Sequence, residues 1–210
     1  MNRYRTVLKE ARAEQIIERS RFIAYVKPVE SKEEADAHIA AIRIANRDAS
    51  HNVPAMVTGE KFQIQWASDD GEPQGTAGAP IVQMLVRENI TNVAIVITRY
   101  FGGIKLGTGG LVRAYTSSAK LGLLAAGLCI VKDMSLLRFK IDYTYLNKIQ
   151  NIAPNENFDI REIFYEDMVT LIIATDSENV RHIKSVLSNI TAGGYLIISE
   201  SQELIKIAER

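Results

Sequence analysis

Residues 93–126 constrain this chain more than any other stretch. A continuous apolar run, Val93 to Thr98, passes through five glycines within Gly102–Gly110 into a helical pattern that Gly127 stops. An apolar run without alternation reads as a buried central strand. Glycine at this density lets the backbone take left-handed turns and approach a ligand closely. The spacing predicts a helix from about Leu111 to Ala126. Its free amides and positive dipole end would form an anion site. Arg99 and Lys105 can add formal charge, and Gly107, Thr108, Gly109 and Gly110 can offer amides. Arg113, Ser117 and Lys120 would then share one helix face, a basic stripe suited to phosphate or a nucleic-acid backbone. The same glycines also suit close strand-to-helix packing, as do Ala114, Ser118 and Gly122. A Gly-Lys-Ser/Thr ending and G-x-G-x-x-G spacing are both missing, so neither a Walker loop nor a dinucleotide fingerprint is present.

Charge is unevenly spread around this segment. Net charge is zero, yet residues 1–132 hold 17 Lys and Arg against 13 Asp and Glu. From Asn89 to Lys132 there is no acidic residue. Such asymmetry hints at anionic partners.

A chain of 210 residues with 47% hydrophobic and 24% charged residues can bury two small cores. We place the domain boundary near Val131, giving domains 1–131 and 132–210. No apolar run reaches the roughly 20 residues that span a bilayer. Met1 to Arg5 leads into charge rather than an apolar signal core. Cys129 is the single cysteine, so one chain can form neither an internal disulfide nor a cysteine-based zinc site. These features predict a cytoplasmic protein that does not engage membranes.

Two short strands are expected between Glu10 and Val26. Ser31-Lys32-Glu33-Glu34 matches a capping box and opens a helix to Asn46. His51 to Thr58 and Phe62 to Ala67 form a hairpin, with Pro54 expected at an edge or bulge. Pro80 at a first helical position opens a helix to about Glu88. Beyond residue 133, strands and helices follow in the order β-α-β-β-α-β, the ferredoxin-like arrangement.

Asp69, Asp70 and Glu72 place three carboxylates in one loop, where they could hold a cation, share acid–base work or simply cap a turn. His51 could join them as an accessory site. His38 and His182 read as surface residues on helices. Trp66, Tyr100, Phe101 and Tyr115 can stack on bases or fill the core. No hydrolytic motif, metal-ligand spacing or cofactor fingerprint occurs, so no catalytic residue, metal or cofactor is assigned.

His51-Asn52, Ser68-Asp69-Asp70-Gly71-Glu72-Pro73, Gly75-Thr76-Ala77-Gly78, Arg99-Tyr100-Phe101-Gly102-Gly103 and Gly109-Gly110-Leu111-Val112-Arg113-Ala114-Tyr115 occur in that order. With these motifs the chain closely resembles the YigZ/IMPACT family over about residues 18–127. The resemblance implies an α+β protein. Its N-terminal domain would be like ribosomal protein S5 domain 2, and its C-terminal domain ferredoxin-like (βαββαβ). It also implies a link to translational control, in which eukaryotic relatives act. The expected function is therefore a non-enzymatic binding or regulatory protein that meets RNA, the ribosome or a translation-associated protein. The alternative is an enzyme or sensor that takes a phosphorylated small molecule at the glycine-rich helix start.

Overall fold

The computed structural model describes residues 2–209. Two compact units emerge: Arg3–Val131 together with the residues from Lys206 onward, and Lys132–Ile205.

The first unit is built on an antiparallel sheet. Its strands are β2 (Ala11–Ile17), β3 (Ser20–Pro28), β4 (His51–Thr58), β5 (Ile64–Ala67) and β6 (Val93–Tyr100), ordered β2-β3-β6-β4-β5. β6 is central and almost wholly buried, as its unbroken apolar run predicts. The short strand β1 (Asn2–Val7) was not foreseen. Its Arg5 carbonyl accepts from the Thr91 amide, just before β6.

Helices cover both faces of this sheet. On one side α2 (Gly78–Arg87) and α3 (Gly107–Ala126) pack Ile81, Met84, Leu85, Leu111, Tyr115, Ala119 and Leu123 onto Phe22, Val53, Ile95 and Ile97. On the other, Ala35 of α1 (Lys32–Ala45) meets Met56 and Ala94. Gly122 lets α3 lie close to β3, because a Cβ there would stand 2.6 Å from Val26 Cγ2 and 2.8 Å from Ala24 Cβ. The Ser31 hydroxyl caps α1 as expected, accepting from the Glu34 amide at 3.2 Å. The Glu34 carboxylate reaches one residue further back than a capping box requires and accepts from the Glu30 amide.

Four local expectations change. Pro54 lies on an interior strand, paired with β6, rather than at a sheet edge. The β4–β5 register starts at Ala55, and the Pro54 carbonyl accepts from Ser68 just past the end of β5. Proline's missing N–H therefore falls where the ladder has ended. α2 begins two residues before Pro80, which still lies in the first turn, where no intrahelical donor is needed. α3 begins at Gly107, four residues earlier than expected. His38 is buried on the inner side of α1 rather than exposed.

The second unit follows the order β7 (Leu128–Ile141), α4 (Tyr143–Ile152), β8 (Phe158–Tyr165), β9 (Val169–Thr175), α5 (Val180–Thr191) and β10 (Tyr195–Ala208). Its strands run β10-β7-β9-β8, and β1 also pairs with β7 to make the sheet five-stranded. This is the ferredoxin-like order, so the α+β class holds. Leu146, Ile149, Ile183 and Leu187 from the helices pack on Leu137, Phe139, Leu171 and Ile173 of the sheet.

Candidate functional site

The site grows from the register of β6. Arg99 pairs with Phe22 on β3 and with His51 on β4. Cross-strand partners lie on one face, here the face that α3 covers. The Arg99 guanidinium rests against the rings of Phe22 and Phe101, at 5.2 and 5.4 Å to the centroids. Its side chain is only 5% exposed. A buried cation must be paired. Glu72 does this, its Oε1 lying 2.6 Å from Arg99 Nη1. Arg99 Nη2 also donates to Ser20 Oγ at 3.2 Å.

Tyr115, on the third turn of α3, donates to the same Glu72 Oε1 at 2.7 Å. Burial, and then the neighbouring Glu72 carboxylate, push this phenol far above its ordinary range, so it remains a donor. Its ring meets Phe22 edge-to-face at 5.3 Å. Sequence reasoning named Tyr115 only as an aromatic. The available signal was its place on the apolar stripe Leu111, Tyr115, Ala119, where a polar tip requires a buried partner.

The acidic loop brings its three carboxylates to three different tasks. Asp69 accepts from the amides of Gly75, Ala77 and Gly78 and so caps the start of α2. Burial alone would raise its pKa, but these three amides outweigh it and hold the carboxyl below its ordinary range. Asp70 accepts from the Asn52 amide and from Arg43. Glu72 alone enters the Arg99 network. Among the described residues no group of His, Cys, Asp and Glu is arranged to hold a metal ion. His51 is fixed by Nδ1, 2.8 Å from the Asp70 carbonyl oxygen, and its Nε2 stands 3.8 Å from Glu72 Oε1.

The Asp69 cap carries a pH signature. A carboxyl with a depressed folded pKa contributes stability above its unfolded value, and that contribution is lost as pH falls through the folded value. Asp69→Asn, whose amide group would turn a donor toward one of these N–H groups, is expected to lose about 1–2 kcal/mol near neutrality. Its deficit should shrink as pH falls below the ordinary carboxyl range, about 4, and through the lowered folded value. Urea titrations at several pH values measure this, and a deficit constant with pH would refute the account.

These pieces surround one cavity of about 440 Å³. Its lining includes His51, Glu72 and Pro73 from one side of the sequence, and Arg99, Phe101, Lys105, Leu106, Gly107, Thr108 and Leu111 from the other. Gly107 and Thr108 are the first residues of α3, whose N-cap residue Leu106 offers no side-chain acceptor, and among the described residues no other side chain accepts from the first-turn amides. The first-turn amides are therefore left for another acceptor.

The structure thus brings together His51, Glu72, Arg99, Lys105, Gly107 and Thr108. Gly109, Gly110 and Arg113 follow on α3 but do not line the cavity. Lys120 stands on the last part of α3, 2.8 Å from Glu88, and Ser117 accepts from Gln15. The expected basic stripe is thereby divided, and Arg99 is enclosed rather than presented. Trp66 and Phe101 are partly exposed.

Comparison with known proteins agrees with this architecture. Residues 18–123 match the Impact N-terminal domain, and residues 139–193 match a domain of unknown function (DUF1949). The chain is 38% identical over 193 residues to the IMPACT family member YvyE of Bacillus subtilis, covering 92% of this chain and 89% of that protein. It is 30% identical over 185 residues to the IMPACT family member YigZ of Escherichia coli, covering 87% and 91%. A crystal structure of a hypothetical protein aligns over the full length of both chains at 28% identity, with a TM-score of 0.59. No described helix is long and apolar enough to cross a membrane.

Proposed function

The chain belongs to the IMPACT family, and from that premise we propose that its first unit is a binding module for a small anionic molecule, held in the cavity where β6 meets α3. One observation carries this reading. The uncapped first turn of α3 and Lys105 line the same cavity as a buried, fully neutralised ion pair. Helix N-termini carry about half a positive charge and unpaired amides, which phosphate and carboxylate groups satisfy. Because Glu72 balances Arg99, the surplus charge of the lining is positive. Pro73, Phe101, Leu106 and Leu111 add apolar wall. A concave site of this volume suits a small molecule.

A partner such as RNA or the ribosome calls for a continuous basic surface. Enclosure of Arg99 and pairing of Lys120 with Glu88 interrupt that surface, which favours the small ligand. A link to translation would then run through what the bound molecule signals. The test is calorimetric titration with inorganic phosphate and a panel of phosphomonoesters. Binding is expected, and Lys105→Ala should weaken it about tenfold, the worth of one charge-assisted contact. If no phosphate compound binds, while single-stranded RNA binds in a salt-sensitive way that Lys105→Ala with Arg113→Ala abolishes, the reading is wrong.

A further inference from the structure

Anion binding leaves one wall of this cavity without a task. The Glu72 side chain is only 4% exposed, yet its two known donors, Arg99 and Tyr115, both use Oε1. Oε2 meets no hydrogen-bond donor among the described residues. Oε2 is not one of the fully enclosed unpartnered atoms, so it is the edge of the side chain that opens to the cavity Glu72 lines. Beside it stands the His51 ring. Nδ1 faces the Asp70 carbonyl oxygen, which can only accept, so in the neutral ring Nδ1 carries the proton. Nε2, 3.8 Å from Glu72 Oε1, is left with its lone pair. Two neighbouring acceptors thus share the lining with the anion-attracting amides and ammonium.

The charge count decides what kind of donor fits. Arg99 already neutralises Glu72, so a ligand ammonium would add a second cation beside a satisfied pair. A hydroxyl brings a donor without charge. Two adjacent hydroxyls match two adjacent acceptors, and Pro73, Phe101, Leu106 and Leu111 provide apolar surface for a carbon framework.

We propose that the cavity takes a phosphorylated polyol of the sugar-phosphate class. Its phosphate lies on the first-turn amides of α3 with Lys105, and neighbouring hydroxyls donate to Glu72 Oε2 and His51 Nε2. This inference rests on the anion reading above and narrows it.

The test titrates the full chain with propyl phosphate, glycerol 3-phosphate, ribose 5-phosphate and glucose 6-phosphate. At least one polyol phosphate should bind about tenfold or more tightly than propyl phosphate, the gain expected from a hydrogen bond to a charged acceptor. His51→Phe should erase most of that margin while leaving the propyl phosphate affinity within about twofold. Glu72→Gln should also lower the margin, and because it leaves the Arg99 charge unbalanced it should tighten propyl phosphate itself; if that variant does not fold, His51→Phe decides. Propyl phosphate binding as tightly as every polyol phosphate overturns the hydroxyl inference and leaves the anion reading standing. Failure of all four compounds to bind removes both.

Discussion

Glu72→Ala is expected to destabilise the first unit by about 3–5 kcal/mol, the cost of stranding a buried charge. Arg99 would keep its enclosed position between Phe22 and Phe101 without a counter-ion, and the Tyr115 hydroxyl would lose its acceptor. Whole domains are stable by only 5–15 kcal/mol as a rule, so such a variant stands near the limit of folding. Trp66, the single tryptophan, lies on β5 of the same sheet and reports unfolding in urea. The Lys120–Glu88 pair is the natural contrast. Its N···O distance is 2.8 Å, but its side chains are 50% and 29% exposed, and exposed pairs contribute under about 1 kcal/mol. Replacing Glu72 and Arg99 together by methionine should recover much of the loss, because an apolar pair removes the buried charge altogether. A loss below about 1 kcal/mol for Glu72→Ala alone would mean that water reaches Arg99 as readily as it reaches Lys120.

Gly102→Ala is the second large effect, expected at about 3 kcal/mol. An added Cβ would land on the carbonyl of Arg19 and stand 2.5 Å from the Ser20 amide nitrogen. These are backbone atoms of a tight turn in which Glu18 and Arg19 both take positive φ, so they cannot yield as a side-chain tip would. The damage also reaches the site, because Ser20 Oγ accepts from the Gly102 amide as well as from Arg99. Gly103 separates space from backbone conformation. It has φ +87 with nothing within 4 Å of an added Cβ, and alanine there should cost about 1 kcal/mol. Equal losses at the two positions would refute the steric account.

Much of this fold is written in local signals. The run Val93 to Thr98 marks the central strand because both its faces are covered. The Ser31 cap, the Gly127 stop and the hairpin Phe158 to Thr175 each follow from a few neighbouring residues. Other features depend on partners far along the chain. Pro54 reads as an edge residue until the end of β5 is located. His38 reads as exposed until α1 is laid on the sheet. Asp69 looks like a cation ligand or a turn residue, but its acceptors are used by amides six to nine residues ahead.

The candidate site divides in the same way. The glycine segment and the acidic loop stand out as patterns, and their convergence on one cavity is a product of the β6 register with β3 and β4. Pattern could not tell that Arg99 faces inward, since an arginine after an apolar strand can equally end it in solvent. Nor could it single out Glu72 from Asp69 and Asp70. Only the enclosure of Arg99 creates the need for one of the three to go in.

The ring of amides around Asp69 has a consequence for recognition. The Glu72 backbone lies inside a loop closed on itself, from Asp69 to Gly78, and the same loop holds His51 through the Asp70 carbonyl. The acceptor wall is therefore shaped when the chain folds and not when a guest arrives. Entry would freeze few additional torsions on the protein side, which lets a small molecule with few contacts reach useful affinity. Such a rigid receptor would select by shape and donor placement, and would tell closely similar molecules apart by a single missing hydroxyl.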